Sequence, residues 1–161
     1  MPLSSATFGV TPAILELELA SDWMAVRGAL SRVLAALKPR GLTRDQEETF
    51  ELILAEILNN IVEHAYDQQV GTITLRLSAE DLAVRCEVTD HGREMPGGAP
   101  PAGGTIPTEA EMAALAVPEL PEGGFGWSLI RALTQDLRYD RDGKTNRLSF
   151  RFSLAAAPLG A

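Results

Sequence analysis

The chain has 161 residues, 45% of them hydrophobic and 22% charged, which suits one globular domain with a real core. A formal net charge of -8 argues against a general nucleic-acid or anionic-membrane surface, which rewards clustered Lys and Arg. The single cysteine excludes an internal disulfide framework and multi-cysteine metal sites, and no apolar run approaches the roughly 20 residues of a membrane span.

Residues 1–12 carry no strong pattern and read as a loose terminus, 13–155 as a single domain and 156–161 as a tail. Ile14, Leu15, Leu17 and Leu19, with Glu16 and Glu18 between them, suggest a half-buried strand. Ser21 or Asp22 caps a helix running to about Leu37, which Lys38-Pro39-Arg40-Gly41 stops. Thr43 and Gln46 have the form of a capping box opening a long helix. Phe50, Ile53, Leu54, Ile57, Leu58, Ile61, Val62 and Ala65 follow the rhythm of a helix packing one face on a core. Ile73, Leu75 and Leu77, then Leu82, Val84, Cys86 and Val88, alternate with polar residues, and Ala79-Glu80-Asp81 is short enough to join them as a hairpin. Cys86 falls on the apolar alternation and reads as a buried, inert thiol.

From about Arg93 to Glu122 the composition changes. The stretch 97–104, rich in Gly and Pro, is irregular, with at most a short helix near Thr108–Leu115, and so long an insertion is a lid or a disordered segment. Gly123-Gly124-Phe125-Gly126 then opens a second apolar helix from Trp127 to Leu133. Leu137–Arg141 and Arg147–Leu154 close the chain as a hairpin across Asp142-Gly143. The order predicts an α+β, two-layer sandwich, a mixed or antiparallel sheet with helices on one face. Trp23 and Trp127 are left open between core and interface.

Within this frame some residues break local rules. Glu56, Asn60 and His64 are four apart and stack along one helical stripe, and Asn59-Asn60 is a poor choice for a helix interior. Glu56 has the chemistry of a general base and Asn60 that of a ligand for a hard cation; the alternative is a solvated helix face. His64 lies nearer the apolar face, where a packed, hydrogen-bonded histidine is the simpler reading. Asp90 follows 84, 86 and 88 in phase, so its carboxylate points to the apolar face and needs a donor there, unless it has left the strand as a turn or cap residue. Gly92 lets backbone approach a ligand closely. The glycines at 123, 124 and 126 precede a helix, an arrangement that receives phosphates or else makes a hinge or tight turn. A P-loop and the protein-kinase signature set are absent from the sequence.

Taken in order, three segments resemble the N, G1 and G2 boxes of the Bergerat-fold ATPases, a superfamily that includes gyrase, histidine kinases and MutL. They are Glu56-x-x-x-Asn60-x-x-x-His64-Ala65-Tyr66, Val88-Thr-Asp90-His-Gly92-Arg-Glu-Met-Pro96, and Leu120-Pro-Glu-Gly-Gly-Phe-Gly-Trp-Ser-Leu-Ile130. The resemblance is strongest to the small anti-sigma-factor serine/threonine kinases of bacterial partner-switching systems, and it covers about Ile14 to Leu154. It implies ATP and Mg²⁺ as cofactors, with Asn60 on the metal and Asp90 accepting from the adenine amino group. Gly92 would permit close approach, and Gly123, Gly124 and Gly126 would line the triphosphate. Residues 93–122 would be the ATP lid, His64 joins the nucleotide-binding set with its box, and Glu56 is implied as the catalytic base. The residue beside adenine on the last hairpin is Thr145 or, in another register, Lys144 or Asn146. The G1 box departs from the pattern at Glu94, which stands in place of a second glycine.

The absence of a membrane-span or leader pattern makes a cytoplasmic protein the expectation, and by the same resemblance it is a kinase that phosphorylates an anti-sigma-factor antagonist of the STAS type and, when that antagonist is absent, sequesters a sigma factor. A homodimer is left open. The alternative is a non-catalytic, nucleotide-gated protein-binding module of the same fold, which would not need the base at Glu56.

Overall fold

A computed structural model of the chain describes residues 11–67, 69–102 and 125–155. Strand β1 (Ala13–Ala20) is followed by helices α1 (Trp23–Leu37) and α2 (Arg44–Asn60), and then by strands β2 (Thr72–Glu80) and β3 (Ala83–Asp90). After the undescribed stretch come α3 (Phe125–Leu133) and the strands β4 (Gln135–Asp142) and β5 (Thr145–Ser153). The short helix expected near 108–115 and the glycines at 123 and 124 lie outside the described residues.

The five strands form one sheet in the order β1-β2-β3-β5-β4, with every neighbouring pair antiparallel. Its apolar face carries Leu17 and Leu19, Ile73, Leu75 and Leu77, Val84, Cys86 and Val88, and Leu148, Phe150 and Phe152, all buried. Helix α2 lays Phe50, Ile53, Leu54, Ile57 and Leu58 on this face, where the Phe50 ring sits 5.1 Å from that of Phe152 and 6.1 Å from that of Phe150. Helix α1 adds Val26, Leu30, Val33 and Leu37, and α3 adds Ile130. The result is the α+β two-layer sandwich that the alternating pattern predicts.

Local chemistry explains the element boundaries. Asp22 caps α1 by accepting from the Ala25 N–H at 2.8 Å, while Ser21 bonds to Gln69 and Gly71 across the fold. The Thr43/Gln46 capping box is fully formed at the start of α2. A bulge between Ala13 and Leu15 accounts for two adjacent apolar residues, Ile14 and Leu15, at the head of β1. The Gly/Pro stretch is irregular as its composition predicts, with one tight turn closed by the Gly98 N–H on the Met95 carbonyl and Gly97 at a φ of 74°. Two expectations need correction. Leu82 does not begin the third strand: Glu80 pairs with Ala83, so Leu82 lies in the two-residue turn and is 64% exposed. The long α-helix ends at Asn60, after which Ile61–Ala65 widens into a π-turn closed by the Tyr66 N–H on the Ile61 carbonyl. Of the two tryptophans, Trp127 packs against the core and Trp23 is about half exposed. No helix among the described residues is long and apolar enough to cross a membrane.

On the opposite face of the sheet, Glu80 bridges two arginines, taking Arg85 Nε on one oxygen at 2.7 Å and Arg151 Nε on the other. These hydrogen bonds, that from Arg151 first, hold its carboxyl below the ordinary value of 4.5. A carboxylate with a lowered folded-state value stabilises the fold above its unfolded value, and that stabilisation disappears as pH falls through the folded one. Glu80→Gln should therefore lower the urea midpoint at neutral pH and lower it by less near pH 3. A deficit of equal size at both values would show that the bridge does not couple to protonation.

Candidate functional site

At one end of the sandwich β3 finishes, β5 begins and the π-turn after α2 packs on Gly92, which brings Asp90, Gly92 and Asn146 together. Asp90 is buried on the apolar face, and the antiparallel register sets Asn146 directly opposite it. Its Oδ1 accepts two hydrogen bonds, from Asn146 Nδ2 at 2.9 Å and from the Gly92 N–H at 2.8 Å. Its Oδ2 takes none among the described residues and is the acceptor left over for a ligand.

Asn146 is itself held on all sides. Its Oδ1 accepts from Tyr139 Oη at 2.7 Å and from an Arg141 guanidinium nitrogen at 2.6 Å, while its Nδ2 also donates to the carbonyls of Gly92 and Arg93. The same Arg141 nitrogen donates to the Gly92 carbonyl, and Tyr139 Oη accepts from the Met95 N–H at 3.0 Å. The start of the segment after β3 is thus tied to the β4–β5 hairpin. Thr145 does not face Asp90; its hydroxyl lies 3.2 Å from His91 Nδ1, and Lys144 is exposed in the turn.

Gly92 does permit a close approach, but what approaches is the chain's own backbone. A Cβ at Gly92 would lie 2.5 Å from the Ala65 carbonyl oxygen, and the next residue, Arg93, donates its N–H to that same oxygen. Gly92→Ala should therefore destabilise the fold by about 1–3 kcal/mol, the usual cost of overpacking. Urea denaturation measures it, and an unchanged midpoint would contradict the contact. Tyr66 adds a second tie, its hydroxyl donating to the Thr72 carbonyl and accepting from the His91 N–H. Burial raises this phenol above its ordinary value, so it remains a donor at physiological pH.

On α2, Glu56 and Asn60 share a stripe one turn apart. Asn60 donates its side-chain N–H to the Glu56 carbonyl at 2.8 Å, which turns its Oδ1 away from the helix as a neutral oxygen donor. Such an oxygen fits Mg²⁺, which binds through few protein oxygens and keeps several waters. The Glu56 carboxylate lies against the first turn of α3: a Cβ at Gly126 would come within 2.5 Å of Glu56 Oε2. Helix α3 is pinned in turn by Arg131, which donates to the Pro100 and Pro101 carbonyls. The base candidate therefore touches the Gly126 backbone, with the metal-ligand candidate one turn further along α2.

His64 departs from the reading of a packed residue. The π-turn rotates residues beyond Asn60 out of the stripe, leaving the His64 side chain 72% exposed with Glu63 3.8 Å away. Cys86 is buried, and burial pushes its thiol far up, which fits an inert core residue.

A family model describing the histidine kinase-like ATPase domain matches residues 19–152. The chain belongs to this family. As a histidine kinase-like ATPase domain it is an ATP-binding fold. Among solved structures, the RsbU and RsbW domains of Rv1364c from Mycobacterium tuberculosis are similar to it, with a TM-score of 0.56 and 18% identity over 89% of this chain. At that identity the likeness speaks for the fold alone, and this chain spans 32% of the mycobacterial one. The Acinetobacter baumannii histidine kinase AdeS is similar at a TM-score of 0.44 and 16% identity, covering 87% of this chain and 68% of its own. No curated protein matches the chain.

Proposed function

We propose that this histidine kinase-like ATPase domain is an ATP·Mg²⁺-dependent serine/threonine protein kinase. It phosphorylates an anti-sigma-factor antagonist of the STAS type and binds a sigma factor when that antagonist is absent. The observation that supports the reading is a carboxylate standing one turn from a neutral oxygen donor on α2, in a chain whose β3 ends on a half-satisfied Asp90. Asp90 offers a single acceptor oxygen at the end of β3, and Glu56 and Asn60 stand together on α2. A plain nucleotide-binding module needs the Asp90 acceptor and the Asn60 oxygen but has no use for a carboxylate beside the metal ligand.

When bound, ATP supplies the phosphoryl group and Mg²⁺ neutralises charge on it. The chain supplies positioning, which is most of what phosphoryl transfer requires. Asp90 Oδ2 accepts from the adenine amino group, Asn60 Oδ1 is the oxygen for the metal, and Glu56 takes the proton of the incoming hydroxyl. The likeness to a structure that contains an RsbW domain supports the fold on which this reading rests. The test is incubation of the protein with labelled ATP and candidate antagonists from the same genome. Label transferred to a Ser or Thr of one of them supports the kinase. ATP-dependent partner binding without any transfer supports the nucleotide-gated module instead.

A further inference from the structure

We infer that Asn146 is the positioning residue that makes the site selective for adenine, and that Tyr139 and Arg141 hold it in the one orientation in which it can do so. The inference rests on the reading of Asp90 as the adenine acceptor and adds what decides which of its oxygens is presented.

An asparagine amide has an acceptor end and a donor end, so its orientation is fixed by what surrounds each. Here the surroundings agree. Two donors, Tyr139 Oη and the Arg141 guanidinium, converge on Oδ1, and three acceptors, Asp90 Oδ1 and the carbonyls of Gly92 and Arg93, surround Nδ2. Turning the amide over would set a cationic guanidinium against N–H groups and an oxygen against three oxygens. The donor end therefore stays on Asp90. Together with the Gly92 N–H it occupies Oδ1, leaving Oδ2 as the remaining acceptor at the site.

A carboxylate with only one of these anchors would be free to turn and to reach water or a different base edge. Selectivity between an exocyclic amino group and a carbonyl then falls, because rejection of the wrong base depends on an acceptor that cannot move away from it. Asn146 also sits where Arg141 and Tyr139 tie down residues 92–95, so the acceptor and the segment leaving β3 are held by one network.

The experiment compares ADP·Mg²⁺ with IDP·Mg²⁺, whose base carries a carbonyl in place of the amino group, by calorimetry on the whole chain. The wild type should prefer ADP by roughly tenfold or more. Asn146→Ala should lower that ratio by about fivefold or more, with most of the loss on ADP. Asn146→Thr, which keeps a hydroxyl donor toward Asp90, should recover part of the ratio. Tyr139→Phe and Arg141→Met leave the amide in place but remove one of the donors that orient it, and each should lower the ratio by roughly two- to fivefold. A purely structural role would lower the urea midpoint and weaken both nucleotides in parallel, so an unchanged ratio in a folded Asn146→Ala protein overturns the inference. If that variant does not fold, unchanged ratios in both Tyr139→Phe and Arg141→Met overturn it. A wild type that binds neither nucleotide overturns the nucleotide reading itself, a separate result from a selective wild type with indifferent variants.

Discussion

Asp90→Asn is expected to weaken ATP binding by about 1–3 kcal/mol, roughly 5- to 150-fold, while leaving the fold in place. The geometry gives the direction. Two donors, Asn146 Nδ2 and the Gly92 N–H, already point at Oδ1, so the oxygen of the new amide must stay with them. Its NH₂ group then takes the place of Oδ2 and meets the adenine amino group donor to donor. A guanine carbonyl in the same place would now be accepted, so the preference for ATP over GTP should flatten or reverse. Calorimetry of both nucleotides against both proteins measures this. Equal affinities for ATP and GTP in the wild type, or an unaffected variant, would sink the assignment of Asp90 to adenine.

How far the site was legible in the sequence follows from the physics of each signal. Period-two and period-3.6 patterns report which face is buried, so the strands, the two long helices and the phase of Asp90 could be read directly. The π-turn could not. Ile61, Val62 and Ala65 continue the apolar rhythm of α2, and nothing local announces the extra residue per turn that carries His64 outward. A π-turn inside a helix often marks a functional site, and here it delivers Ala65 to Gly92 and the Tyr66 hydroxyl to His91. Register was the other blind spot. Whether Lys144, Thr145 or Asn146 faces Asp90 depends on one residue of slippage in the last hairpin, and a single step reverses every side chain. The two-residue turn between Asp142 and Thr145 settles it in favour of Asn146. Tyr139 and Arg141 went unnoticed for a related reason: on a mostly polar edge strand they look like surface residues until the pairing with β5 brings them to the amide.

Glu56→Gln separates a kinase from a nucleotide-gated binding module. The two side chains have nearly the same shape, so the packing against Gly126 and the hydrogen bond from Asn60 to the Glu56 backbone carbonyl should survive the change. ATP affinity should stay within a few fold, because nothing in the adenine end of the site is touched. What is lost is the ability to take a proton from the attacking hydroxyl, and a positioned base is worth roughly 10²–10⁴-fold in rate. Single-turnover transfer to the cognate antagonist should slow by that factor. Asn60→Ala should behave in the opposite way, weakening nucleotide binding when Mg²⁺ is present and having little effect in its absence, since it removes a metal oxygen and no proton acceptor. The two variants thus give a crossed pattern: rate without affinity for Glu56, metal-dependent affinity first for Asn60. If Glu56→Gln transfers phosphate at the wild-type rate, Glu56 is not the base. If the wild type transfers none to any cognate antagonist while ATP still changes its affinity for a partner, the kinase reading falls and the Glu56 carboxylate needs another role, for which its position against the first turn of α3 is the place to start.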